Sequence, residues 1–206
     1  KFLFKLIKKK IKFFFISSAE IFNGKKGFYN ENSKTNPVNF YGKLKFNIEN
    51  YLKDTKYANY HIIRTGRNIE MSNEYSCMIK DCYLTLMKSN AKMAEDNLFT
   101  ITHQTDFSRA IYKIIKLVKV PKILHVVSSH VISRINFADI IIKSSLNSKH
   151  MSYKKCKFKD IDYGEKRAVK NNLDGTFTSE LLNIKYTKPE KIIKEKVKLI
   201  DKIYFK

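Results

Sequence analysis

Tryptophan is absent, and glycine, proline and cysteine are scarce. The six glycines, Gly24, Gly27, Gly42, Gly66, Gly164 and Gly175, are scattered and form neither a phosphate loop nor a dinucleotide fingerprint. A nucleotide enzyme needs glycine where backbone must approach phosphate, so this scatter argues against that class. Cys77, Cys82 and Cys156 make an odd set without disulfide or zinc spacing, which fits a reducing compartment. Cys77 and Cys82 stand five apart, as do His125 and His130, and on a helix that spacing turns through about 500 degrees. Each pair then faces two ways, and no metal is expected. No apolar run is long enough to span a bilayer, for which about 20 residues are needed.

Candidate chemistry is equally thin. His103, Asp106 and Ser108 lie close in sequence, but the motif that surrounds a nucleophilic serine is missing, and they read as helix-capping residues. Glu70 and Glu74 read as acids near a helix N-terminus rather than a catalytic pair. The expectation is therefore a protein that is not an enzyme, with no cofactor, no metal and no small-molecule substrate.

What the sequence has in abundance is positive charge: 41 Lys and Arg against 19 Asp and Glu, a formal +22 over 206 residues. Such a chain repels itself unless anions neutralise it, and nucleic acid is the first candidate because phosphate contacts release condensed counterions. Nearly all of the charge is Lys; Arg64, Arg67, Arg109, Arg134 and Arg167 are the five arginines. With plentiful Ile, Phe, Tyr and Asn this resembles AT-rich codon bias, which loads Lys onto any surface. Placement of charge then says more than its amount.

Residues 1–45 read as a basic N-terminal arm and connector. Leu3, Ile7, Ile11 and Phe14 recur at helical spacing over residues 1–20, the first 19 of which hold no acid and resemble an organelle-targeting segment, and an aromatic-bearing extended stretch follows. Residues 46–150 read as a helical core: a short helix over 46–57, and a long one over 69–94 with Met71, Tyr75, Met78, Ile79, Cys82, Leu86 and Met93 on one face. A further helix over 106–119 carries the stripe Ile111, Ile114, Ile115 and Val118, and an apolar segment follows Pro121. Residues 151–206 read as a C-terminal extension, a β-hairpin turning at Asp174-Gly175 and an amphipathic helix opened by Thr187, Pro189 and Glu190. The fold class expected is mainly α.

The basic clusters interleave with aromatics, a pattern suited to phosphate neutralisation with base stacking. Lys5, Lys8, Lys9, Lys10 and Lys12 precede Phe13, Lys25 and Lys26 precede Phe28, and Lys154, Lys155, Lys157 and Lys159 surround Phe158. Arg109, Lys113 and Lys116 form a basic helical ridge. Composition and tail layout resemble those of ribosomal proteins, although no motif supports the likeness. The function expected is a structural RNA-binding constituent of a mitochondrial ribosome in the matrix, with rRNA and neighbouring ribosomal proteins as partners. The alternative is an accessory subunit of a respiratory or ATP synthase complex at the matrix side of the inner membrane, with residues 1–16 on anionic lipid.

Overall fold

Phenylalanines 13–15 and Ile16 leave the lysine-rich beginning of the chain as a strand, because aromatic and β-branched side chains suit a pleated, half-buried surface. In the computed structural model, which describes residues 11–55, 57–72 and 77–204, the elements in chain order are as follows. They are β1 (Phe13–Ser18), α1 (Phe40–Asp54), β2 (Tyr60–Thr65), β3 (Arg67–Ile69), α2 (Met78–Leu86), β4 (Lys92–Ala94) and β5 (Leu98–His103). Then come α3 (Gln104–Lys116), β6 (Ile123–His125), β7 (Val131–Ser133), α4 (Arg134–Ser144), β8 (Lys154–Cys156), α5 (Thr176–Leu182) and α6 (Pro189–Tyr204).

The mainly α expectation is corrected to an α/β fold built on parallel strands. β1 pairs with β2 in parallel, Phe13 opposite Tyr60 through Ser18 opposite Thr65, and β2 pairs with β6 in parallel. Parallel neighbours cannot be joined by a tight turn, and α1 supplies the crossover from β1 to β2. A second sheet has the order β3-β5-β7, parallel then antiparallel, and β4 with β8 forms a third, parallel pair.

Several expected elements change with it. The helix over residues 1–20 is not formed at 13–18; Ile11 and Phe14 are described, whereas Leu3 and Ile7 lie outside the described residues. The short helix begins at Phe40 rather than at residue 46. Asn39 caps it by accepting from the Gly42 N–H at 2.7 Å, so Gly42 lies within the first turn. The long helix over 69–94 divides into the end of β3, the nine-residue α2 and β4, with Glu74 and Tyr75 outside the described residues. Met71, Met78, Ile79, Cys82, Leu86 and Met93 do share one core, but they reach it from different elements.

The hairpin at Asp174-Gly175 is replaced by a helix start. The Asp174 carboxylate accepts from the Thr176 N–H at 3.0 Å, and a Cβ on Gly175 would strike the Val127 carbonyl. That glycine serves close packing rather than a strand reversal. Helix α3 forms close to its expected place, capped by His103, although Ile115 and Val118 of its expected apolar stripe are exposed.

Helix α6 is not an extension, since Ile192, Ile193, Val197 and Ile200 are buried in the same cluster as Phe99 and Phe137. Its Asp201 accepts from Tyr83 Oη at 2.7 Å, from Ser145 Oγ at 2.9 Å and from the Leu146 N–H at 3.0 Å. Buried polar groups persist only when bonded in this way. Under the first sheet, Glu49 grips Arg64 through two hydrogen bonds, Nε to Oε1 at 3.0 Å and Nη2 to Oε2 at 2.7 Å. Breaking a buried pair of this kind costs about 3–5 kcal/mol, which ties α1 to β2 and fixes the helix that carries the site.

Candidate functional site

Open α/β sheets bind ligands beyond the carboxyl ends of their parallel strands. At the ends of β1 and β2 lies a cavity of about 230 Å³ lined by Ser18, Glu20, Tyr41, Gly66, Arg67 and Asn171. Tyr41 stands in the first turn of α1, 48 % exposed. Gly42 sets its depth, because any Cβ there would collide with the Glu20 carbonyl oxygen. One turn on, Lys45 donates to the Ile16 carbonyl at 2.9 Å and holds its ammonium 5.6 Å from the centre of the Tyr41 ring. Spacing of four residues on a helix brings the two side chains to one face. A phenol that hands a proton to a carbonyl oxygen leaves a phenolate, and a fixed cation beside it stabilises that charge.

A larger cavity, about 500 Å³, continues from Arg67. Arg67, Arg134, Arg167 and Lys92 all line it. Arg134 lies 4.9 Å over the Phe99 ring, Arg67 5.4 Å from the same ring and Arg167 5.1 Å from Tyr163. Burial, and then the repulsion of Arg134 and Arg167 against the pull of Glu20, lower the Arg67 guanidinium to about 10. Its Nε is buried without a hydrogen-bond partner among the described residues. Arg64 and Arg109 have carboxylate partners, whereas none of these three is ion-paired among the described residues. Asp81 and Asp162 line the same cavity with these four cations, and planar guanidinium forks of this kind match the oxygens of a doubly charged anion.

Tyr163 and Arg167 also line a third cavity, about 810 Å³, where Phe158 stacks on Tyr163 with ring centroids 4.7 Å apart. The three cavities therefore adjoin one another through shared residues, Arg67 between the first two and Tyr163 with Arg167 between the last two.

The residues expected to meet RNA are not gathered in one place. Lys5, Lys8, Lys9 and Lys10 lie outside the described residues. Lys12 donates to the Leu117 carbonyl at 3.0 Å, and Lys25 and Lys26 are exposed on a loop. On α3, Arg109 pairs with Asp106 at 2.8 Å and bonds the Lys185 carbonyl at 3.0 Å; Lys113 donates to the Leu182 carbonyl at 2.7 Å. Lys116 lies 4.2 Å from the Tyr112 ring centre. Two of these three side chains thus bind the chain's own C-terminal segment. Lys154 and Lys155 are exposed on β8, Lys157 pairs with Glu95 at 2.7 Å, and Lys159 lines the third cavity. Among the described residues no group of three His, Cys, Asp or Glu could hold a metal.

Sequence reasoning missed Ser18, Glu20, Tyr41, Lys45, Arg67, Arg134 and Arg167. Two signals were present: an aromatic-hydroxyl and lysine pair four apart just after a capping Asn, and arginines kept in a lysine-dominated sequence.

Fold and cavities together define a small-molecule-binding α/β domain. The model of the RmlD substrate binding domain family matches residues 7–201, and the chain belongs to that family. The fold is Rossmann-like. It is similar to the crystal structure of a dTDP-4-dehydrorhamnose reductase from Clostridium acetobutylicum, with TM-score 0.80 and 22% identity, over 95% of this chain and 68% of that one. The corresponding enzyme from Yersinia enterocolitica gives TM-score 0.78 and 22% identity over 94% of this chain and 68% of that one. That from Bacillus anthracis, solved in complex with NADP, gives 0.75 and 18% over 91% and 66%. The chain thus spans about two thirds of the length of these structures. A comparison with curated protein sequences finds no match.

These findings overturn the expected role in a mitochondrial ribosome, the alternative as an inner-membrane accessory subunit, and the rRNA and ribosomal-protein partners. They also overturn the expectation of a non-enzyme without a small-molecule substrate, because the family and its structural neighbours are sugar-nucleotide enzymes. The physical reason is that the arguments from absence assumed a binding site would show glycine or metal signatures. This site is made of arginine, tyrosine and amide side chains instead.

Proposed function

We propose that this chain binds a nucleoside diphosphate sugar and polarises a carbonyl of the sugar with Tyr41, as the substrate-holding part of a sugar-nucleotide reductase. The observation that carries the reading is the placement of Arg67, which joins the Tyr41 cavity to the Arg134 and Arg167 cavity. A diphosphate on the arginines puts the sugar toward Tyr41 and Ser18 and the base toward Phe158 and Tyr163.

The structure from Bacillus anthracis is in complex with NADP, and the glycines among the described residues here do not form a cradle for such a dinucleotide. Cβ atoms built on Gly24, Gly27, Gly42, Gly66 and Gly175 would meet the chain's own atoms within 3 Å, and Gly164 faces open space. None of them frames the close backbone approach that a pyrophosphate turn needs. The roles assigned here are accordingly those of the chain's own groups: the arginines bind, Tyr41 donates a hydrogen bond to the carbonyl oxygen, and Lys45 holds charge beside it.

Calorimetric titration with dTDP, and with thymidine as the phosphate-free control, tests the reading. Arg134→Gln should weaken dTDP by roughly 10–150-fold, the range for a lost hydrogen bond to a charged group, with the fold retained. Equal affinity for thymidine and dTDP, or an unchanged Kd in the variant, overturns it.

A further inference from the structure

Glu20 is a carboxylate in the cavity assigned to the sugar, and neither binding the diphosphate nor polarising the carbonyl uses it. It follows β1 directly, in a 3-10 turn (Ala19–Ile21) capped by Ser18, whose Oγ accepts from the Glu20 N–H at 3.2 Å. Its Oε2 accepts from Asn39 Nδ2 at 2.9 Å and its Oε1 from Asn171 Nδ2 at 2.7 Å. Asn39 also caps α1 through the Gly42 N–H, so one amide side chain fixes both Glu20 and the helix turn that carries Tyr41. The Glu20 carbonyl, packed against Gly42, adds a second tie between the two.

Two features separate Glu20 from a purely structural acid. Both donors that hold it are neutral amides, and no ion pair neutralises it among the described residues. Each carboxylate oxygen can accept about two hydrogen bonds, and each is given one here, so an acceptor site remains on both. The side chain is only partly buried and lines the same cavity as Tyr41 and Ser18.

Resting on the substrate reading above, we infer that Glu20 is a proton-transfer group for a carbon adjacent to the sugar carbonyl, so that the site catalyses enolisation of a nucleotide keto-sugar. A hydrogen bond from Tyr41 withdraws electrons from the carbonyl and acidifies the neighbouring C–H. That C–H bond breaks, its proton passes to a Glu20 oxygen, and its electron pair forms the C=C bond of an enolate whose negative oxygen faces Tyr41. Return of a proton from Glu20 to the carbon restores the ketone. No oxidant or reductant enters; Glu20 is only partly buried, so its proton exchanges with water before it returns to the same face of the carbon, and the visible consequence is exchange of that hydrogen with solvent.

The experiment incubates the full chain with dTDP-4-dehydrorhamnose in D2O and follows deuterium uptake into the sugar by proton NMR, against a protein-free control. Binding of the same sugar nucleotide is measured in parallel by calorimetry. The wild-type protein should bind and accelerate exchange. Glu20→Gln should bind within a few-fold of wild type and melt normally, yet lose exchange by about 100-fold or more, the usual span for a removed acid-base group. Glu20→Asp should recover part of it, which a clamp role would not predict. Tyr41→Phe should also slow exchange without weakening the diphosphate contact. Binding without exchange in the wild type, or full exchange in Glu20→Gln, overturns this inference and leaves the substrate reading standing. Absence of binding overturns both.

Discussion

His125 makes the stability of the first sheet depend on pH, and the size of the effect follows from its surroundings. The imidazole is fully buried at the end of β6. Its Nδ1 lies 3.2 Å from the Asp174 carbonyl and its Nε2 3.4 Å from Arg64 Nη1. A carbonyl only accepts and a guanidinium only donates, so the fitting tautomer carries its proton on Nδ1 and turns the Nε2 lone pair to Arg64. Protonating Nε2 would set two donors and two positive charges against each other. Burial first, and then the Arg64 charge, accordingly hold the group down at about 3 from an ordinary 6.5.

A depressed folded-state value means that the unfolded chain takes up the proton first. The stability is fully present above pH 6.5 and is lost as pH falls from there toward 3. Between pH 7 and pH 5 the linkage amounts to about 2 kcal/mol, or roughly 4–8 °C in Tm for a chain of this size. His61, lowered by burial, acts in the same sense, and Glu31, raised by burial, acts against it, so the wild-type slope alone is not diagnostic. The readout is the difference from His125→Gln, whose amide can donate to Asp174 and accept from Arg64 without titrating. Urea unfolding at pH 7.0, 6.0 and 5.0 should show the variant less stable at pH 7 but with a slope shallower by about 2 kcal/mol over the range. Parallel slopes in the two proteins refute the assignment.

Two further substitutions probe the frame of the site. Gly42→Ala forces a methyl against the Glu20 carbonyl oxygen and should destabilise by about 1–3 kcal/mol; chemical unfolding checks it, and a neutral result would mean that α1 can shift without cost. Phe137→Ala empties a site where Phe137 meets Phe99 edge-on at 5.4 Å under Arg134, and should cost about 3–5 kcal/mol, measured as a loss in urea midpoint.

Periodicity revealed helices α3 and α6, but neither the strands nor the extents of the other helices. Helix α6 shows its stripe of Ile193, Val197 and Ile200 because one face packs and the other is wet. The strand β2 is buried at His61 through Thr65, so Tyr-His-Ile-Ile-Arg-Thr has no alternation to read. Strands β3, β4, β6, β7 and β8 have three residues each, too few to show any period. The mistaken helix over residues 69–94 had the right residues for the core and the wrong connection between them. Two strands and a helix that converge on Phe99 and Ile141 leave the same apolar spacing as one continuous face.

The site was hidden for a different reason, which bears on how charge is read in such sequences. Tyr41 and Lys45 fell in a stretch taken as a connector because Pro37 and Gly42 punctuate it, yet Gly42 is there to let α1 approach Glu20. The arginines were submerged in the lysine count, although drift that favours lysine makes every surviving arginine informative. Lysine can replace arginine wherever only a positive charge is needed. It cannot where a planar fork must bond two oxygens or lie flat on a ring. All five arginines here meet one of those conditions: Arg64 is bidentate to Glu49, Arg109 bonds Asp106 and the Lys185 carbonyl, and Arg67, Arg134 and Arg167 lie on aromatic faces around one cavity. In a lysine-rich chain the arginines that are few and clustered in space therefore mark where planar contacts are made, and the abundant lysines report on the solvated surface.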